Sequence, residues 1–509
     1  MKNFIKKKNL NAVKKKNETL TLNSHILLQQ ETQKLFMSSV IFVFTLSMRI
    51  AIEGCGHGCL DQIYKSIAKK QVELLIICGD FQSIRNQVDL KCMSVPDKYK
   101  RMGDFQDYFI GKKRAHTFTI FIGGNHEASN YLDELRYGGF VAPNIYYMGR
   151  SSVVWYKGLR IGGLSGVYWH KDFMHLNPSD YDFQNDRFAI RSVYHYRKDD
   201  YFKLRLLDQS NKMIMVSHDW PEGIYDYGNV ENLLKNKPFF KNDIKNHCLG
   251  SPSNMELLKS IKPKYWFSAH LHVRFPATVD WNIISKKREL NEEENDTKRM
   301  KTENTEFTVV TDEIKLDLVG DCNNIEQNNQ DTNNDEIELC LDDVDDVDKT
   351  KESNDNSVPI KQPNHDLKAL LPTKFLALDK CLPRRNYLEV IDIEITDKNH
   401  ISTKDKKKPL YRDVEYISSE RVIQKHKQSL NSLNYNQLLN PPLEFLDELN
   451  TIKTLYIKEY ENLNKEKYDS LFNIPLNSFV RTLSPNEKVH KKVQNPQTKF
   501  FETKFLDEQ

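Results

Sequence analysis

The chain has 509 residues, with 74 Lys and Arg against 71 Asp and Glu, a formal net charge of +3. That balance excludes a histone-like polycation and an acidic solvating chain, but leaves room for a local basic groove. Hydrophobic residues make up only 39% while Tyr (23) and Phe (26) are ample, so a real core diluted by polar stretches is expected.

The first 47 residues carry two lysine runs (6–8 and 14–16) and the apolar run Leu35–Leu46. That run is short of the roughly 20 residues a bilayer needs, so no membrane association is expected. A signal anchor or an extra edge strand is the alternative. We read 1–47 as a disordered extension, dispensable for folding and catalysis. The eight cysteines, Cys55, Cys59, Cys78, Cys92, Cys248, Cys322, Cys340 and Cys381, form no zinc-type CxxC pair and read as free thiols of a reducing compartment.

Organised structure is expected from Met48. Arg49–Glu53 reads as a strand running into the glycine-rich turn Gly54–Gly58. Leu60, Ile63, Tyr64, Ile67 and Ala68 follow at helical spacing, an apolar stripe that packs on a sheet. Leu74–Cys78 is a continuous apolar run ending in Gly79-Asp80. Phe118–Ile122 ends in Gly123-Gly124-Asn125-His126-Glu127. Met213–Val216 ends in Ser217-His218-Asp219, and Tyr265–Phe267 in Ser268-Ala269-His270-Leu271-His272. One histidine after a strand is commonly a hydrogen-bonded loop residue. Five strands that each deliver polar residues at their carboxyl ends, where α/β sheets bind ligands, argue for a site.

Composition shifts near Ser285. Residues 285–370 are rich in Asn, Asp and Glu and include the acidic run DDVDDVD, and are read as a disordered insertion. Strand patterning resumes over 371–397, in Phe375–Leu378 and Tyr387–Ile395, so the insertion interrupts one domain (48–284 with 371–397). The region 405–509 reads as largely helical. Phe445, Leu449, Ile452, Tyr456 and Tyr460 form a helical stripe after Pro441-Pro442.

Gathered together, Cys55, His57, Asp80, Asn125, His218, His270 and His272 offer thiolate, imidazole, carboxylate and amide oxygen donors suited to Zn, Fe or Mn. A single Asp can bridge two ions, and such a pair clamps an in-line displacement at phosphorus. His126, beside a candidate ligand, is placed to act as a general acid.

The segments Cys55-Gly56-His57, Gly79-Asp80, Gly123–Glu127, Ser217–Asp219 and Ala269–His272 resemble the calcineurin-like metallophosphoesterases, whose pattern is DxH, GD, GNHE, a lone His and GHxH. Cys55 stands where that pattern has Asp, and Ala269 where it has Gly. EGCGHGCLDQIY (Glu53–Tyr64), GDFQSIRNQVDLKCMSVPDKY (Gly79–Tyr99), SHDWP (Ser217–Pro221) and KFLALDKCLPRR (Lys374–Arg385) are similar to the narrower RNA lariat debranching enzyme family, of which that Cys is a hallmark.

This resemblance implies an α/β fold: a metallophosphoesterase β-sandwich flanked by helices, with a mostly helical C-terminal region. It implies one metal site from His57, Asp80 and His272 beside Cys55, and a second from Asp80, Asn125, His218 and His270. One or two divalent ions (Fe2+, Zn2+ or Mn2+) are implied, and both mechanisms stay open. The implied substrate is the 2′,5′-phosphodiester of branched intron lariat RNA, with His126, or a water it orients, protonating the leaving 2′-oxygen. The resemblance also implies a lariat-recognition loop at about Tyr168–Arg197. There Tyr168, Trp169, His175 and Tyr194 would stack bases, Lys171, Arg187 and Arg191 would meet phosphates, and His195 would also bind substrate.

Nuclear localisation is expected from the basic clusters Lys286–Arg288 and Lys298–Lys301, with import or spliceosome-associated factors as partners. Competing readings are another phosphoesterase, a nuclease or a phosphatase, and a non-catalytic scaffold on the same fold. GDFQSIRN departs from the GDxVDRG of calcineurin-like protein phosphatases, and a scaffold would be expected to lose the histidines that are present here.

Overall fold

A computed structural model describes residues 47–183, 186–284, 371–489 and 492–507. The N-terminal extension through residue 46 with its apolar run, the acidic insertion 285–370 and both basic clusters lie outside the described residues.

Thirteen strands are described: β1 (Ser47–Glu53), β2 (Leu74–Ile77), β3 (Phe118–Phe121), β4 (Gly139–Ala142), β5 (Ile145–Tyr147), β6 (Ser151–Tyr156), β7 (Leu159–Leu164), β8 (Met213–Ser217), β9 (Tyr265–Ser268), β10 (Phe275–Val279), β11 (Thr373–Ala377), β12 (Leu388–Glu394) and β13 (Leu410–Arg412). They form two sheets, ordered β12-β1-β2-β3-β5-β4 and β10-β11-β9-β8-β7-β6-β13. The central strands of each are parallel and the edge pairings antiparallel. β1 begins at Ser47, one residue before Met48, and that residue pairs with Glu394.

The two sheets pack face to face. Ile50, Ile52, Leu74 and Ile76 of the first meet Ile161, Ile214, Val216 and Phe267 of the second. Side chains alternate across a strand, so Ala51, Leu75 and Ile77 point to the outer face. There they pack on helix α1 (Leu60–Ile67) through Ile63 and Tyr64. The outer face of the second sheet carries Met213, Met215 and Trp266 against α2 (Lys198–Arg205), α3 (Pro252–Ile261) and α4 (Val414–Lys425), by way of Phe202, Leu258 and Ile417. Each such side chain, fully buried, stabilises the fold by about 1.5–3 kcal/mol. The result is a β-sandwich flanked by helices, as expected.

Helix starts follow their caps. The Ser251 hydroxyl accepts from the Asn254 amide with Pro252 in the first turn of α3, and the Asp413 carboxylate accepts from the Tyr416 amide at the start of α4. Asp413 also pairs with buried Arg160 at 2.8 Å and accepts from Trp155 Nε1 at 2.7 Å, tying α4 to the second sheet.

Beyond residue 405 the chain is mostly helical, and α5 (Leu443–Glu461) carries the expected stripe, with Leu449 and Tyr460 buried and Phe445, Ile452 and Tyr456 packed beside them. One strand was not foreseen there. Leu410–Arg412 pairs with β6 and closes that edge of the second sheet. The opposite end of this region covers β4, the edge of the first sheet: Gln497 Oε1 accepts from the Phe140 amide at 2.8 Å and its Nε2 donates to the Phe140 carbonyl at 3.1 Å. No helix among the described residues is long and apolar enough to cross a membrane.

Candidate metal centre

The strand-end turns of both sheets meet at one edge of the sandwich: β1, β2 and β3 from the first sheet, β8 and β9 from the second. The site is therefore an intersheet edge rather than the crevice of a single open sheet. These turns are tight. His57, Asp80, His270 and His272 all have positive φ, at 41°, 49°, 63° and 50°. Residues with side chains avoid this region, at a cost of about 1–3 kcal/mol each. Four neighbours held there mark a geometry imposed by the packed strands.

Cys55, His57, Asp80 and His272 bring one donor atom each within 4.8 Å of one another. His57 Nε2 lies 3.1 Å from His272 Nε2 and 3.7 Å from Asp80 Oδ2. Cys55 is fully buried and accepts from the His270 amide at 3.2 Å. On the other side of Asp80, His218 Nε2 lies 3.4 Å from Oδ1 and 3.2 Å from Asn125 Oδ1. The His218 Nδ1 donates to the Cys78 carbonyl at 2.8 Å, which can only accept. Nε2 thus carries a lone pair aimed at two electron-rich oxygens, an arrangement that calls for a cation. The His270 ring lies 5.0 Å from the His218 ring. Asp80 faces one donor group with each oxygen, as a bridging carboxylate does.

The electrostatics agree. Burial works to raise the Asp80 carboxyl, but the imidazoles of His218, His126 and His57 and the His126 amide hold it far below the usual carboxylate range. Burial pulls His57 and His218 down to about 4, and lowers His272 as well, so at neutral pH these rings keep lone pairs for coordination. Burial, with Asp80 and Glu53 adding, pushes the Cys55 thiol up. A bound cation reverses that preference, since a coordinating thiol gives up its proton. The donors present fit one or two divalent ions.

Two glycines make the approach feasible. A Cβ on Gly79, whose φ is +117°, would fall on the His218 ring, and a Cβ on Gly124 would fall on Asp80 Oδ1 and lie 2.7 Å from His218 Nε2. Glu127 holds the loop: its buried carboxylate accepts from the amides of Phe81 (2.7 Å), Gln82 (2.8 Å) and Gly124 (3.1 Å). That role was not read from the sequence.

His126 sits beside this centre. Its amide donates to Asp80 Oδ1 at 2.8 Å, and its Nδ1 lies 3.7 Å from Asp80 Oδ2, leaving Nε2 without a partner among the described residues. It lines an open groove of about 530 Å³ together with Asn125, Trp169, Lys171, Arg191, Tyr194 and His195. His195 is oriented by Asp172, whose Oδ2 lies 2.6 Å from its Nδ1. Tyr168 and His175 do not line the groove. Tyr168, partly buried, packs against the second-sheet core and donates to Tyr435 at 3.1 Å, while His175 Nδ1 turns back to the Lys171 carbonyl at 2.7 Å. The Arg187 side chain lies outside the described residues. Phe188, 80% exposed at this groove, and the Ser94–Pro96 wall were missed; an apolar ring left in solvent has no signature in sequence.

Comparison with known proteins agrees with this geometry. Residues 48–274 match the calcineurin-like phosphoesterase family, and residues 371–506 match the lariat debranching enzyme C-terminal domain. The lariat debranching enzyme of Saccharomyces cerevisiae is 40% identical over 397 residues, covering 77% of this chain and 88% of that protein. That of Schizosaccharomyces pombe is 39% identical over 475 residues, covering 89% and 95%. The Homo sapiens enzyme is 51% identical over 240 residues, 46% of this chain and 43% of that protein. Similarity that runs through both the phosphoesterase segment and the C-terminal region, over nearly the full length of two relatives, makes this chain a member of the lariat debranching enzyme family.

Proposed function

We propose that the chain hydrolyses the 2′,5′-phosphodiester of branched intron RNA, giving a linear intron with a free 2′-hydroxyl and a 5′-phosphate. The observation that carries this is the pair of donor groups on the two oxygens of Asp80, beside a groove lined by Asn125 and His126. His57, Asp80 and His272 with Cys55 would hold one divalent ion, and Asp80, Asn125, His218 and His270 a second. Such ions polarise phosphoryl oxygens and lower the pKa of a bound water. The mixed thiol, imidazole and carboxylate donors suit Fe2+, Zn2+ or Mn2+.

The protein's own groups do the rest. Asp80 stays ionised and fixes the His126 backbone through its amide. His126 places its unpartnered nitrogen towards the groove, where it delivers a proton to the departing 2′-oxygen. Trp169, Tyr194, His195 and exposed Phe188 present ring faces for unpaired bases, and Lys171 and Arg191 supply charge for phosphates. The protein works in the nucleus, where introns are excised.

The test is a branched RNA beside a linear RNA of the same composition, with purified protein stripped by chelator and then reloaded with Mn2+, Zn2+ or Fe2+. Cleavage at the branch alone, lost on stripping and restored by metal, is the expected result. Equal cleavage of the linear RNA would overturn the branch assignment.

A further inference from the structure

The candidate centre opens on the His57 side as well. A second groove, of about 510 Å³, is lined there by His57, Gly58, Gln62, Lys65, Gln82 and Arg101. The His57 and His126 rings are 5.5 Å apart, so the two grooves meet across one pair of imidazoles. Their chemistry differs. The first presents aromatic rings, whereas no Phe, Tyr or Trp lines the second.

The second groove presents two cations, Lys65 and Arg101, that no carboxylate of its lining holds in an ion pair. Asp61 and Asp104 also line it, but their carboxylates are already committed. Asp61 binds Lys113 at 2.5 Å and accepts from the Tyr108 hydroxyl at 2.8 Å, and Asp104 accepts from the Asp61 amide at 2.9 Å. Lys65 and Arg101 are exposed and make no ion pair among the described residues. The wall is fixed by backbone contact, since a Cβ on Gly103 would lie 3.0 Å from the Gly58 carbonyl oxygen. A rigid polar trough with two free cations and two amide side chains, starting at a candidate metal ligand, suits a polyanion read by its backbone.

We propose that this groove holds the 2′-linked arm of a branched RNA, the strand that keeps the phosphate, through its phosphodiester backbone rather than its bases. The inference rests on the debranching reading. Hydrolysis breaks the bond between phosphorus and the 2′-oxygen; water's oxygen joins phosphorus and a proton goes to the 2′-oxygen. That oxygen belongs to the branch nucleoside and needs His126, which places the branch nucleoside in the aromatic groove. The phosphorus stays bonded to the 5′-oxygen of the arm, which then leaves past His57. The arm can have any sequence, because the trough offers charge and amide groups and no stacking ring.

The test compares two branched RNAs that share a branch and differ only in the 2′-linked arm, one nucleotide against about six. Wild-type protein and a Lys65→Ala/Arg101→Ala double variant, both loaded with Mn2+, are assayed over a range of salt. Wild type is expected to show a lower KM for the long arm, and the double variant to raise that KM about tenfold at low salt. The ratio of KM between the two substrates should collapse towards one. The salt slope for the long arm should fall by about 1.4, at roughly 0.7 per lost phosphate contact on a single strand. An arm-length preference that survives in the double variant, or equal KM changes on both RNAs, would overturn the assignment. Wild type that cleaves both RNAs with no dependence on arm length would overturn it too, leaving the debranching reading intact. Wild type that cleaves neither would count against the debranching reading itself.

Discussion

The Nδ1 of His218 donates to the carbonyl of Cys78, at the end of β2, across the seam between the two sheets. One hydrogen bond thereby sets the tautomer of a candidate ligand and joins the strand that delivers it to the strand that delivers Asp80. Replacing His218 with Asn is expected to remove one ion per chain and lower kcat at least about 100-fold, beyond the range typical of losing an outer partner alone. Mass spectrometry of metal content alongside kinetics checks it; full metal content with full activity would remove His218 from the ligand set.

His126→Ala should behave differently. Its side chain donates no hydrogen bond that holds the centre together, so metal content and KM should hold while kcat falls by about 10²–10⁴. Unchanged single-turnover rates would show that another group protonates the leaving oxygen.

Gly79→Ala combines a forbidden φ with a methyl group driven into the His218 ring, and should cost about 2–4 kcal/mol. Gly111 has φ +81° with nothing within 4 Å of where a methyl group would sit, so Gly111→Ala should cost only about 1 kcal/mol from the backbone. Urea unfolding of the two variants separates crowding from backbone strain, and equal losses would argue that the His218 ring simply moves aside.

The C-terminal region should prove inseparable from the sandwich. Ending the chain at residue 404 removes β13 from β6 and Gln497 from Phe140, baring an edge of each sheet. Bare edges pair with other chains, so the truncated protein is expected to aggregate where the full chain is monodisperse by light scattering. A soluble, active truncation would refute this.

Acid should destabilise the fold in part through His400, which stacks on Trp155 at 4.0 Å between ring centroids and whose Nδ1 accepts from the Ser402 amide at 3.2 Å. Burial pulls this imidazole down to about 4, against the opposing pull of Asp413 and Asp397. With an unfolded value near 6.5, the unfolded chain binds the extra proton between about pH 6.5 and 4, so stability falls as pH drops through that window. His400→Asn keeps a capping acceptor without the titration. Its stability should decline about 1–3 kcal/mol less than wild type between pH 7 and 4.5 in chemical denaturation; parallel declines would assign the acid sensitivity elsewhere.

Much of the site was legible because its chemistry sits in short turns directly after apolar strands: Cys55, His57, Asp80, His218 and His272 were all readable from those junctions. The division of the strands between two sheets was not. A continuous run such as Leu74–Ile77 or Met213–Ser217 says that both faces are buried, not which neighbours bury them. The strand at Leu410 escaped because three residues carry no period. Tyr168 looked like a base-stacking ring but is held by Tyr435, a residue far along the chain that its own neighbourhood does not reveal. Phe188 was invisible for the opposite reason: exposure is a property of the finished surface.

The closure of one edge of each sheet by residues 410–497 also sets an order of events during synthesis. β4 and β6 are complete by residue 156, yet the groups that cover them arrive only at residues 410 and 497. At roughly 5–20 residues per second, a nascent chain carries open edges for tens of seconds. A chain that stops between residues 156 and 410 keeps both of these edges unpaired, and is the form expected to be most prone to aggregate.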